Sequence, residues 1–281
     1  MNARGRVYCN LKVFRIDAHG RGRLVREAHN AVLTRGLNQL RDAMRGEAFH
    51  LSYIGLGSSG TAVSASQTWG LSPLMISQAT NRSAKGARLR TTQQIMEDEL
   101  NGSTIREVWI SMSADAPPTG PGAFARVVID PLEKTSEFRY VFQFDVVFGG
   151  TNSRLACNMM AALAASTGDF TIRIASLMCG RGTAPESIAD TGLADPWTMT
   201  PIAVASSSVA DGELTLFFTL PPDQYNDLVL AEGGVYFDVA SGSSPLSVPA
   251  LFARGLVQPG PFAIEVGKGA QVVVQLRWES G

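Results

Sequence analysis

Cys179-Gly180-Arg181-Gly182-Thr183-Ala184-Pro185 follows a strand-like run, Phe170-Thr171-Ile172-Arg173-Ile174-Ala175-Ser176-Leu177, and its centre has been seen before in the chain. Gly60-Thr61-Ala62 recurs as Gly182-Thr183-Ala184, an offset of 122 (from 60 to 182). The same offset carries Gly70-Leu71 onto Gly192-Leu193, and Asn30 onto Asn152. Phe124-Ala125-Arg126, followed by Pro131, returns as Phe252-Ala253-Arg254 followed by Pro259. The offset there is 128 (from 124 to 252), as expected where an inter-strand loop has gained six residues. Matches in one order, with drift confined to polar stretches, point to a duplicated domain.

Each copy reads as strands around one helix. Val32, Leu33, Leu37, Leu40 and Met44 fall at helical spacing from Ala31 to Met44, closed by Gly46. The second helix is expected from about Ser153 to Ala165, closed by Gly168, with Asn30 and Asn152 as N-caps. Val7–Ile16 and Arg23–Ala28 read as an opening hairpin around His19-Gly20-Arg21-Gly22, with no counterpart in the second copy. Strands are expected at His50–Gly57, Ile105–Met112, Phe124–Ile129 and Arg139–Phe148, and at Phe170–Leu177, Val235–Val239, Phe252–Val257 and Gln271–Trp278. Residues 76–104 are polar and irregular and read as long strands joined by an exposed loop. The pattern predicts a mainly β protein of two tandem β-sandwich domains, each with one packed α-helix, over residues 1–149 and 150–281.

The formal charge of −1 conceals a split. Residues 1–149 hold 18 Lys and Arg against 13 Asp and Glu, and residues 150–281 hold 6 against 12. A docking surface for an acidic partner, such as the acidic half of a neighbouring copy, is one reading of this split; a solvated face is the other. Nucleic acid is disfavoured as a partner, because no aromatic residues interleave the basic cluster. Cys9, Cys157 and Cys179 have no metal or disulfide spacing and read as buried free thiols. No apolar run is long enough for a membrane span, and the basic N-terminus lacks the apolar core of a secretory signal.

The order of a helix, a strand into Leu-Gly-Ser-Ser-Gly-Thr-Ala (56–62), Gly70-Leu71, a Trp-containing strand and Phe-Ala-Arg resembles the sandwich domains of tailed-bacteriophage virion proteins. The second copy matches that family's turn better, with Gly180-Arg181-Gly182-Thr183-Ala184-Pro185 and then Asp190-Thr191-Gly192-Leu193. The first departs from it, with Ser58 and Val63 set against Gly180 and Pro185. The resemblance implies a structural role in a tail, baseplate, neck or fibre attachment. It also implies symmetric homo-oligomers, contacts with other virion proteins, and assembly in a host cytoplasm.

No catalytic, cofactor or metal site is expected. His19, His29 and His50 show no HxH or HExxH spacing, Gly180-x-Gly182 lacks a following GK[ST], and neither copy is expected to repeat a titratable set at matched positions. The Glu97-Asp98-Glu99 run reads as solvated. Arg126 and Arg254 stand out as matched charges in apolar strands, either facing outward or paired with a carboxylate at the domain base or a subunit interface. Together with Arg15, Arg21, Arg23 and Arg26 of the opening hairpin they form the candidate interface set. Two alternatives remain at this point. One is a carbohydrate-recognition module using Trp69 and Trp197, and the other is a capsid decoration protein.

Overall fold

The structure is a computed structural model; it describes the chain apart from residues 1, 118, 151–152, 167–169, 188, 198–199, 223–224, 226–227, 242–243, 246–249, 259 and 266–267. In chain order the first half runs β1 (Asn2–Ile16), β2 (Gly22–Val32), α1 (Thr34–Ala43), β3 (Tyr53–Gly57), β4 (Pro73–Gln78), β5 (Asn81–Lys85), β6 (Arg88–Ile95), β7 (Thr104–Ser111), β8 (Ala123–Glu133) and β9 (Arg139–Gly150). The second runs α2 (Arg154–Ala165), β10 (Phe170–Gly180), β11 (Ile202–Ala203), β12 (Ser206–Ala210), β13 (Glu213–Leu220), β14 (Val229–Leu230), β15 (Glu232–Ser241), β16 (Ser244–Pro245), β17 (Ala250–Leu256), β18 (Phe262–Ala263) and β19 (Ala270–Ser280). The protein is mainly β, as the strand periodicity predicts.

The same topology occurs twice. After each helix one sheet runs β4-β3-β7-β8 in the first copy and β11-β10-β15-β17 in the second. The second sheet runs β5-β6-β9 and β12-β13-β19. Phe124 and Phe252 lie on equivalent strands, and each carbonyl accepts a bond from the residue just before its own helix, Leu33 N at 3.0 Å and Ser153 N at 2.8 Å.

β1 joins the copies. Along one side it pairs antiparallel with β9, Gly5 to Ile16 against Gly150 to Arg139. Along the other it pairs parallel with β19 through Asn2–Val7, then antiparallel with β2 from Cys9 onward. The strands β5-β6-β9-β1-β19-β13-β12 therefore form one run. Its equivalent members β9 and β19 point in opposite directions, which relates the copies by an approximate two-fold axis through the sheet.

Each helix lies on the other copy's sheet. α1 packs on its own β8 and on β19 and β13, whereas α2 packs on its own β17 and on β5, β6 and β9. Main-chain bonds seal the exchange in matching places: Ile174 N donates to Met44 O at 2.9 Å, and Leu51 N donates to Ala164 O at 2.8 Å. Asn38 of α1 reaches the β12–β13 turn, accepting from Gly212 N and donating to Asp211. Buried residues of both halves form one contiguous core, from Val7 and Phe142 to Leu214 and Val274.

Three local expectations are corrected. Asn30 is not a helix cap but a buried residue of β2, its amide without a hydrogen-bond partner among the described residues, and α1 begins after Leu33, which has no side-chain cap. Ser153 caps α2, accepting from Ala156 N at 3.1 Å; Asn152 and Gly168 lie outside the described residues. Residues 76–104 are more regular than their composition suggests, because β5 and β6 form a tight hairpin through Gly86, whose φ is +58°, and no long loop separates them. Leu89, Thr91, Gln93 and Ile95 of β6 all point inward and are buried.

Candidate functional site

Arg126 and Arg254 are interior residues, at 0% and 5% exposure, so neither lies at a subunit surface. In the first copy Arg126 Nε donates to Glu107 Oε2 at 2.7 Å, Nη1 to Gln67 Oε1 at 2.9 Å and Nη2 to Thr61 O at 3.1 Å. Glu107 in turn accepts from Leu71 N at 3.1 Å and Ser72 N at 2.7 Å. One ion pair between β7 and β8 thus pins both ends of the loop 58–72 over the outer face of its sheet.

The second copy repeats the device. Arg254 Nε donates to Glu232, Nη2 to Ala184 O at 2.9 Å, and Nη1 to Pro185 O at 3.2 Å and Asp190 Oδ2 at 3.1 Å. Glu232 accepts from Gly182 N, Ala194 N and Asp195 N. Gln67 thus has an acidic counterpart, Asp190. The glycines follow from this geometry, since a Cβ on Gly57 or Gly180 would collide with the Glu107 or Glu232 carboxylate. Each also faces its glutamate across the ladder, Gly57 opposite Glu107 and Gly180 opposite Glu232. The structural partner of Gly180 is therefore Gly57 and not Ser58, with one extra residue before Gly60.

A titratable pair is repeated at matched positions after all, contrary to the sequence expectation. It escapes a fixed-offset comparison because Glu107 and Glu232 stand 125 apart (107 to 232) while the arginines stand 128 apart (126 to 254). A carboxylate with both oxygens bonded to main-chain N–H groups and a guanidinium is held in one place from both sides. For Glu232, burial alone would raise the pKa; the N–H of Asp195, the Arg254 side chain and the N–H of Ala194 outweigh it and hold the group below the ordinary carboxylate value of 4.5. His50 is also depressed, from 6.5, by burial and then by the charge of Arg82.

These shifts give a pH dependence with a definite sign. A folded pKa below the unfolded one means that the unfolded chain binds more protons in acid. The His50 contribution is complete above pH 6.5 and is lost as pH falls through its lower folded value; that of Glu232 is lost below pH 4.5. Melting temperature should therefore fall in two stages on acidification, and His50→Gln should remove the first. A flat profile between pH 7 and 5 in the parent would contradict the assignment.

The hairpin arginines are mostly engaged within the chain. Arg15 lies 4.3 Å from the Phe138 ring centroid, Arg21 pairs with Asp17 at 3.2 Å, and Arg26 donates to the carbonyls of Val25, Asp130 and Pro131. Arg23 is exposed and faces Arg15 across the β1–β2 ladder. The structure does not bring these four together with Arg126 or Arg254. His29 bonds Asn10 and His50 bonds Ser52. Among the described residues no group of three or more His, Cys, Asp or Glu could hold a metal. All three cysteines are free and buried, and burial pushes the Cys157 and Cys179 thiols up to about 11 and about 12.

The tryptophans are occupied too. Trp109 is closed in by Gly55 and Gly70, where a Cβ would strike its ring, and Trp69 packs against it with centroids 5.7 Å apart. In the second copy Gly234 takes the place of Trp109 and Met178 that of Gly55, so bulk has moved from one strand to its neighbour. Arg181 stacks on Trp197 at 5.0 Å. No helix among the described residues is long and apolar enough to cross a membrane. No protein-family model matches the chain, and no curated protein matches it.

Proposed function

We propose that this chain is a non-enzymatic structural component of a tailed-phage virion, acting by protein–protein assembly with other virion proteins and with its own copies. The observation that carries the reading is the duplicated latch: the family-like Gly-Thr-Ala turn is held in both copies by a buried Glu–Arg pair, Glu107–Arg126 and Glu232–Arg254. The most deeply buried charge of each copy is spent on fixing one loop over one sheet, as suits a part that must present a constant surface to its neighbours. The exchanged helices add rigidity to the same end. A glycan platform is less well supported, because Trp69 and Trp197 are engaged by Trp109 and Arg181. A decoration protein of the capsid would differ in location only.

Peptide mass spectrometry of purified particles, with antibody labelling in electron micrographs, tests the proposal. The chain is expected at a fixed copy number per particle and at one place on it. Recovery of the whole pool as soluble protein, with none in mature particles, would overturn the reading.

A further inference from the structure

The seven-strand run ends in β5 on one side and β12 on the other, and among the described residues each pairs with one strand, β5 with β6 and β12 with β13. Their directions follow from the ladders. β9 opposes β1, β6 opposes β9 and β5 opposes β6, so β5 runs against β1. β19 runs with β1, β13 opposes β19 and β12 opposes β13, so β12 runs with β1. Two copies related by rotation about an axis along the strands would therefore meet with β12 of one antiparallel to β5 of the next.

The two edges also match in chemistry. Val209 of β12 faces the buried Leu214 across its ladder, so it points to the core side of the sheet, yet it is 48% exposed. On β5 the core-side residues are Arg82 and Ala84, opposite buried Thr91 and Leu89. Ala84 borders an open apolar groove of about 420 Å³, lined further by Met159, Ala162 and Leu163 of α2, Ile172 of β10 and Val239 of β15. An exposed apolar side chain on one edge and an apolar groove beside the other are what strand addition requires: main-chain bonds along the edge, with alternate side chains entering a pocket.

We propose that β12 of one copy adds antiparallel to β5 of the next, with Val209 opposite Ala84 and seated in the groove. This register brings Asp211, in the turn just after β12 with one carboxylate oxygen already accepting from Asn38, opposite Arg82, an opposite-charge pair of the kind that stabilises cross-strand neighbours. Arg82 already holds the Ser166 carbonyl and Ser52 through Nη1, which fixes its position at the edge. Pairing of β5 with another β5 is opposed, because Lys85 already faces Arg88 and a second cationic strand would add like charges. A contact between different surfaces is heterologous and closes into a ring where its rotation divides the circle. The inference deepens the assembly reading and rests on it for the identity of the partner as a second copy.

Ser83 and Ala210 point outward on the two edges and come opposite each other in this register, while the native cysteines are buried. Full-length Ser83→Cys and Ala210→Cys proteins, mixed and bridged with a short bis-maleimide, should give a cross-linked dimer, and the double variant a ladder of higher species. Each single variant alone should stay uncrosslinked. Dimers from Ala210→Cys alone, or no product from the mixture, would overturn the pairing. Val209→Asp should weaken self-association at least tenfold in sedimentation equilibrium with an unchanged melting temperature; parental association would also count against the proposal. A chain that ladders in solution but occurs in no particle would sink the virion reading and leave this contact standing. A chain present in particles that never ladders would do the reverse.

Discussion

Glu107→Gln should cost the chain about 3–5 kcal/mol in denaturant unfolding, the range for removing one partner of a buried ion pair, and Glu232→Gln should cost measurably less. The asymmetry comes from the third member of each latch. Arg126 is fully buried, and without the Glu107 carboxylate its charge faces only the amide oxygen of Gln67 and the Thr61 carbonyl. Arg254 keeps the Asp190 carboxylate 3.1 Å from Nη1. Glutamine also presents an NH₂ group where Leu71, Ser72 and Arg126 all donate, so two donors meet where an acceptor stood.

Double variants should separate the lost charge from the lost shape. Arg126→Met combined with Glu107→Gln removes the uncompensated cation and should recover part of the loss, because an absent pair costs less than half of one. The loop 58–72 would still be released, and limited proteolysis there should stay faster than in the parent. Equal costs for Glu107→Gln and Glu232→Gln would show that Asp190 gives Arg254 no compensation.

How much of this could be read beforehand depends on whether a residue's job is local. The duplication was legible because Gly-Thr-Ala and Phe-Ala-Arg recur in order, and β7, β8, β9 and β19 because their apolar residues are dense. The β5–β6 hairpin was hidden by its composition: Arg82, Thr91 and Gln93 point inward, so polar residues stand where alternation would show apolar ones. Asn30 looked like a cap because it precedes a helical pattern, yet the strand runs on to Val32. The arginines of the latch announced themselves as matched charges, whereas their glutamates did not, because loop insertions shift the spacing within each copy. Helix exchange had no signal at all: the apolar stripe of α2 says that it is covered, not by which copy.

Exchange has a thermodynamic consequence. Phe142 of β9 is 0% exposed and Val274 of β19 is 1% exposed, so Phe142→Asp or Val274→Asp places an unpaired carboxylate in the core. Such changes belong to the class that costs more than about 4–5 kcal/mol, against a total of about 5–15 kcal/mol for a folded protein. Independent copies would lose one sandwich and keep the other. Here β1 pairs with both β9 and β19, α2 covers β5, β6 and β9, and α1 covers β13 and β19, so unfolding either copy strips the other of a helix and a sheet neighbour. The parent should therefore melt in one calorimetric transition, and Val274→Asp should abolish the native signals of residues such as Trp109 in the first copy as well as those of the second. Two separate transitions in the parent, or a Val274→Asp protein whose first copy remains folded, would show that the shared sheet and exchanged helices do not couple the halves.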